Sequence, residues 1–173
     1  MSVVPGDPAS LSACALTARA VARSLAGHGT GVRTAYDAMA DGWTGRASAE
    51  SRRRGAGLAD ATTTAAKELE RVGGIMQDQA TDVADLVARA RTIAERAAGA
   101  GLEVREGRVE QGWGVTGSAD ADVDRSRDEV RSHLQADLDL VLAQHRRRRD
   151  WVLSVLREST TTLAGVSHRL REG

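Results

Sequence analysis

The sequence predicts an all-α fold of three long helices. Apolar residues recur at heptad spacing over most of the 173 residues. The interior has few large side chains to draw on: Phe is absent, Tyr occurs once and Trp three times. Ala, Leu and Val must therefore fill the core, and Ala-lined helices can approach each other closely. The length suits one domain and is enough to bury a core.

The first helix begins at Asp7-Pro8. Asp can cap a helix, and Pro is tolerated at the first helical position. Leu11, Ala18, Leu25, Val32 and Met39 stand seven apart, with Ala15, Ala22 and Ala35 between them and Val21 and Tyr36 beside them. This is an a/d-like seam of more than four heptads. Gly27, Gly29 and Gly31 weaken its middle, so a loosened turn is expected near His28. The run stops at Asp41-Gly42-Trp43-Thr44-Gly45-Arg46, where the chain is expected to reverse.

A second helix follows to about Ala98. Leu58, Ala65, Val72, Leu86 and Ile93 form one line, interrupted by Gln79, with Leu69, Met76, Val83, Ala90 and Ala97 as its companion. Laid antiparallel about Trp43, Leu25 meets Leu58 and Ala61, Ala18 meets Leu69, and Leu11 meets Met76. Large then meets small or medium at each level, as close packing needs. The second helix overhangs the first from about Ala80 and needs another partner there.

Residues 99–118 break the pattern. Leu102-Glu103-Val104-Arg105 and Arg108-Val109-Glu110 alternate apolar and charged about Glu106-Gly107, which reads as a small β-hairpin. Such a hairpin is marginal unless it packs on a helix. Ser118 can cap the third helix, with Asp120 and Asp122 in its first turn. Val123, Val130, Leu134, Leu138, Val141, His145, Val152, Val155, Leu163, Val166 and Leu170 make its stripe. Leu134 is set against Val83, and Val141 against Met76. About 50 helical residues span ~75 Å, so a rod-like three-helix bundle is expected. The organisation is a hairpin over 1–98, a linker over 99–118 and a packing helix over 119–173.

Charge and chemistry narrow the function. The 24 basic and 24 acidic residues cancel, and only Lys67 among the basic residues is Lys. No whole-molecule field draws nucleic acid or a membrane. The single Cys14 permits no internal disulfide. No signal peptide is read at Met1–Asp7, and no apolar run approaches a transmembrane segment. Gly112-Trp113-Gly114-Val115-Thr116-Gly117 matches G-x-G-x-x-G, but no βαβ unit surrounds it, so a turn-rich linker plugged by Trp113 is expected. Asp120-Ala121-Asp122-Val123-Asp124 opens like a calcium loop. Arg125 stands where Gly is needed and Arg131 where the bidentate Glu belongs. His28, His133, His145 and His168 share no metal-ligand spacing. Hydroxyls in Thr62–Thr64 and Thr160–Thr162 have no base placed beside them, and Cys14 sits by the seam with no activating group. The expectation is a protein without catalytic residues, cofactor or metal.

Two Arg runs, 52–54 and 146–149, remain. Arg146, Arg147, Arg148 and Arg149 on a helix point all ways round, so at least one must lie near the seam and snorkel. Net neutrality and the lack of interleaved aromatics favour a solvated face contacting an acidic partner over nucleic acid. Trp151 follows directly, as core or as an exposed anchor.

The W-x-G of Gly42-Trp43-Thr44-Gly45, set between two seamed helices, with Pro5-Gly6-Asp7-Pro8-Ala9-Ser10-Leu11 at the first helix start, resembles the WXG-type helical-hairpin superfamily of type VII (Esx) secretion substrates in actinobacteria. The match is best to hairpin modules at the N-terminus of larger secreted proteins, including polymorphic toxins, and covers residues 5 to about 110. The resemblance implies a helical homo- or heterodimer, exported by a membrane ATPase machine without a cleaved signal. It implies that Gly42, Trp43 and Gly45 form the recognised end of the hairpin. The Tyr-x-x-x-Asp/Glu export signal of many such pairs is absent: the sole Tyr, Tyr36, is followed four residues on by Ala40. No toxin domain is expected after the third helix. The expected role is a non-enzymatic, secretion-associated protein, exported or co-exported with a protein partner. The alternatives are a cytoplasmic adaptor or chaperone for a secreted effector, and an anionic-surface binder acting through the Arg runs.

Overall fold

The computed structural model describes residues 3–39, 42–112 and 121–172. The chain is all-α, with one small antiparallel hairpin between the second and third helices. The elements are α1 (Pro8–Ala38), α2 (Arg46–Gly99), β1 (Leu102–Arg105), β2 (Arg108–Gln111) and α3 (Ala121–Glu172). Asp122 and Asp124 stand in the first turn of α3, and Arg169 and Arg171 in its last, which suits the macrodipole at both ends. Contacts divide the chain into two compact units, Met1–Pro8 with Gln79–Trp151 and Ala9–Asp78 with Val152–Gly173, so α2 and α3 each contribute to both.

In the first unit the core is Leu86, Ala90, Ile93 and Ala97 of α2 with Leu134, Leu138 and Val141 of α3, closed by Leu102, Val109 and Val4. Ala90 and Ala97 of α2 leave room for the Leu and Val side chains of α3, so the core fills without any Phe. Leu134 and Leu138, at 1% and 0% exposed, each contribute about 1.5–3 kcal/mol by burial. Val4, 0% exposed, lies in this core just before Pro5-Gly6.

The strands pair with Leu102 opposite Gln111 and Val104 opposite Val109. Glu106 and Gly107 both have positive φ, at 50° and 80°, as a tight two-residue turn of matching twist requires. The hairpin packs on α3. The Gln135 side chain accepts a hydrogen bond from the Val109 N–H at 2.7 Å, donates to the Gly107 carbonyl at 3.3 Å and donates to Asp139 at 2.9 Å.

The register of α3 on α2 differs from the expected one. Arg96 pairs with Asp137 at 3.3 Å and Arg148 with Asp82 at 2.6 Å, and Arg89 donates to Gln144 at 3.0 Å. Leu134 therefore lies level with the end of α2 near Ala97, about two heptads beyond Val83. The physical reason is that the hairpin stays folded against the end of α2. Gly112 N–H donates to the Gly101 carbonyl, and Ala100 N–H to those of Arg96 and Ala97.

In the second unit α1 and the first part of α2 run antiparallel. Ser12 donates to Gln77 at 3.0 Å, Arg19 pairs with Glu70 at 3.3 Å and Arg33 with Asp60 at 2.8 Å. The contact line consists of small residues: Ala15, Ala22 and Gly29 on α1, and Ser48, Gly55, Ala59, Ala66 and Gly73 on α2 are buried. A Cβ on Gly29 would stand 2.5 Å from the Thr62 hydroxyl oxygen. One on Gly73 would stand 3.0 Å from the Ala15 carbonyl oxygen. Gly29 thus marks a close approach and not a loosened turn, and α1 is continuous through His28. Gly29, one turn beyond Leu25, occupies the level expected for Leu25, while Ala59 replaces Leu58, which is 37% exposed. Met39 and Val21 are also exposed, each at 45%. Val152, Val155, Ser159 and Val166 of α3 are buried in this unit, and Arg71 of α2 donates to the Ser159 hydroxyl at 2.8 Å.

Candidate functional site

Two places collect the residues singled out from the sequence. The first is the turn between α1 and α2, in the second unit. Asp41 lies outside the described residues; Gly42 through Gly45 are described. Gly45 has φ +106°, a conformation that side-chain-bearing residues rarely adopt, and its carbonyl accepts the first helical hydrogen bond, from Ala49 N–H at 3.1 Å. A Cβ on Gly42 would meet nothing within 4 Å, so sterics alone do not require Gly there. The Trp43 carbonyl accepts a hydrogen bond from the Ser48 hydroxyl at 2.6 Å. Trp43 is itself 40% exposed, so its ring is shared between the protein and solvent. The turn therefore pairs a fixed backbone with a large, partly exposed aromatic side chain.

The second place is the Arg run on α3, in the first unit. Arg148 is the member drawn toward the helix interface. Its Nε lies 2.6 Å from the Asp82 carboxylate, and its guanidinium sits over the Trp151 ring, 4.4 Å from the centroid. The approach to Asp82 is an ion pair without good hydrogen-bond geometry at Nε. Arg149 pairs with Asp150 at 2.8 Å. Arg146 and Arg147 are exposed. A shallow cavity of about 400 Å³ is lined by Asp82, Leu86, Gln144, Arg147, Arg148 and Trp151. Trp151 is 44% exposed, with Arg148 over its ring, and is not a core residue. One run of four cations thus separates into one bound to both a carboxylate and an aromatic ring, one bound to its neighbour, and two facing solvent.

The other candidates are not drawn together. His145 is buried at 5% exposed within the first unit, whereas Cys14 is exposed on α1 and not in the seam. Among the described residues no group of three or more His, Cys, Asp or Glu is placed to hold a metal ion. Among them, too, no helix is long and apolar enough to cross a membrane. Of the G-x-G-x-x-G match only Gly112 is described. Trp113, Ser118 and Asp120 lie outside the described residues, as do the side chains of Ala121 and Val123.

Sequence reasoning missed two features. The Gln135 latch carried no signal, because a Gln on a helix face reads as solvated. The cluster of Tyr36, Leu58 and Leu170 with Arg53, Arg54 and Arg169 is assembled from three helices, and heptad spacing alone puts Leu58 and Leu170 on buried stripes. No protein-family profile, curated protein or solved structure matches the chain.

Proposed function

We propose that the chain is a non-enzymatic, secretion-associated helical protein of the WXG type, acting through association with a protein partner. The observation that carries this reading is the turn. A W-x-G sequence joins two antiparallel helices, Gly45 supplies the positive φ of the reversal, and Trp43 leaves part of its ring accessible. The small-residue seam of α1 and α2 supports it further, because closely packed helices of this kind form a stiff platform that presents its end and flanks to a partner. Leu16, at 62% exposed on α1, and Leu140, at 63% on α3, add apolar surface outside the buried lines.

The test is co-expression with the products of neighbouring genes, followed by pull-down and fractionation. A stable complex and its appearance outside the cell, both weakened by Trp43→Ala without loss of helicity, are the expected results. A protein that stays monomeric with every neighbour and never leaves the cell ends the reading. If it stays inside yet binds an exported neighbour, the adaptor reading replaces it. The anionic-surface reading draws less support, because Arg148 and Arg149 already have acidic partners.

A further inference from the structure

Within the second unit, a groove of about 680 Å³ lies between Tyr36 of α1, Leu58 of α2 and Leu170 of α3, with Arg53, Arg54 and Arg169 along it. We propose that this groove docks an acidic amphipathic segment of another protein, its apolar side chains against Tyr36, Leu58 and Leu170 and its carboxylates on the three guanidiniums.

The charges decide the sign of the occupant. Glu50 is shared by Arg53 at 2.5 Å and Arg54 at 3.4 Å, so one carboxylate faces two guanidiniums. The hydrogen bond from Arg53 holds Glu50 below the usual carboxylate range. Asp60, the other acid of the lining, is engaged by Arg33 at 2.8 Å. Among the described residues Arg169 has no carboxylate within ion-pair distance. The lining therefore presents more cation than it neutralises, beside Leu58 and Leu170, which stay 37% and 44% exposed. Arginine next to exposed apolar side chains is the composition of a partner-binding hot spot.

The kind of occupant follows from the geometry. Arg53 and Arg54 are 72% and 66% exposed, and long exposed guanidiniums of this sort suit a chain passing along the groove. A small molecule needs convergent, fixed polar groups, whereas the polar groups here are long exposed side chains spread along the groove beside Tyr36, Leu58 and Leu170. Glu50 and Asp60 in the same lining oppose the dense negative charge of nucleic acid or lipid headgroups, whereas a peptide can space its carboxylates to avoid them. Arg169 and Leu170 belong to α3, outside the residues that carry the W-x-G resemblance. The proposal thus goes beyond the export reading and does not depend on it.

The experiment selects a displayed random-peptide library against the purified full chain, then titrates the recovered peptides by fluorescence anisotropy. Recovered peptides are expected to combine Asp or Glu with large apolar residues, and to bind more weakly as salt rises. The pair Arg54→Glu with Arg169→Glu is expected to weaken them about tenfold or more, and Leu58→Ser to weaken them separately. Circular dichroism checks that each variant keeps its helicity. Basic or uncharged recovered peptides, no recovered binder, or equal binding by the variants overturns the proposal. So does binding of anionic phosphatidylserine vesicles that the Arg variants abolish in the absence of any peptide binding, which assigns the groove to a lipid surface instead.

Discussion

The Ser48 hydroxyl donates to the Trp43 carbonyl at 2.6 Å while Ser48 itself is only 1% exposed. The bond ties the turn to the first coil of α2 and leaves the Trp43 ring half free. Ser48→Ala removes the donor and leaves a carbonyl in a partly buried place, at a cost of about 1–2 kcal/mol. Urea denaturation followed by circular dichroism measures the loss. Ser48→Thr, which keeps a hydroxyl, is expected to recover part of it. If Ser48→Ala denatures at the wild-type midpoint, the bond contributes nothing to the turn.

Two glycines on the α1–α2 pair separate close packing from helix propensity. A Cβ on Gly55 would stand 2.4–2.6 Å from the near side of the Tyr36 ring, which has to move as a whole to make room. Gly55→Ala is therefore expected to destabilise by about 1–3 kcal/mol even though Ala is the better helix former. Gly27 faces open space inside α1, so Gly27→Ala is expected to stabilise by about 0.5–1 kcal/mol. Opposite signs in paired denaturation curves are the signature. Two shifts of the same sign refute the close approach.

Much of this fold was legible in the sequence, and the misreadings have a common cause. Heptad periodicity identified α1, α2 and α3, and alternation about Glu106-Gly107 identified the β-hairpin. Periodicity does not fix register, because a slide by whole heptads keeps the same stripe facing its partner. Periodicity alone therefore allows Leu134 against Val83, whereas the ion pair between Arg96 and Asp137 places it near Ala97. On α1 the error was chemical: an apolarity criterion passes over Gly29, although an absent side chain is what lets Thr62 come close. The Arg run was half legible. One member had to approach the interface, but only the positions of Asp82 and Trp151 show that it is Arg148. The groove at Tyr36, Leu58 and Leu170 was invisible, since it depends on the register of three helices at once.

The hairpin is held by the burial of Leu102 and Val109 and by one polar side chain of α3. Gln135 is its hydrogen-bonding partner on α3, accepting from Val109 N–H and donating to Gly107. Gln135→Leu keeps the volume and removes both bonds, leaving a partly buried N–H unpaired at a cost of about 1–3 kcal/mol. Hydrogen exchange gives the sharper readout. Protection is expected to fall at Val109 and across Leu102–Gln111 before it falls in α2 or α3. Uniform loss throughout the chain would mean that Gln135 holds the helices and not the hairpin.

Arg148 lies between Asp82 and Trp151, and each partner lends it a different stabilisation. Arg148→Lys keeps the charge for Asp82 and loses the flat guanidinium over the ring. A double-mutant cycle of Arg148→Lys and Trp151→Leu is expected to give a coupling of about 0.5–1 kcal/mol. Additive effects would show that the stack contributes nothing beyond area.

The Glu68–Arg71–Ser159 cluster gives the chain a defined acid response. Arg71 lies 2.5 Å from the Glu68 carboxylate and donates to Ser159 at 2.8 Å. The hydrogen bond from Arg71, with one from Ser159, holds the Glu68 carboxyl below the usual carboxylate range. A carboxylate depressed on folding contributes stability that is present in full above its unfolded value. That contribution is lost as pH falls through the folded value. Stability is therefore expected to decline on the acid side of the ordinary glutamate range, and Glu68→Gln to remove part of that decline while lowering stability at neutral pH. Urea midpoints for both proteins across the acid range provide the check. Parallel curves would show that Glu68 is equally comfortable folded and unfolded, and that the Arg71–Ser159 contact stands without it.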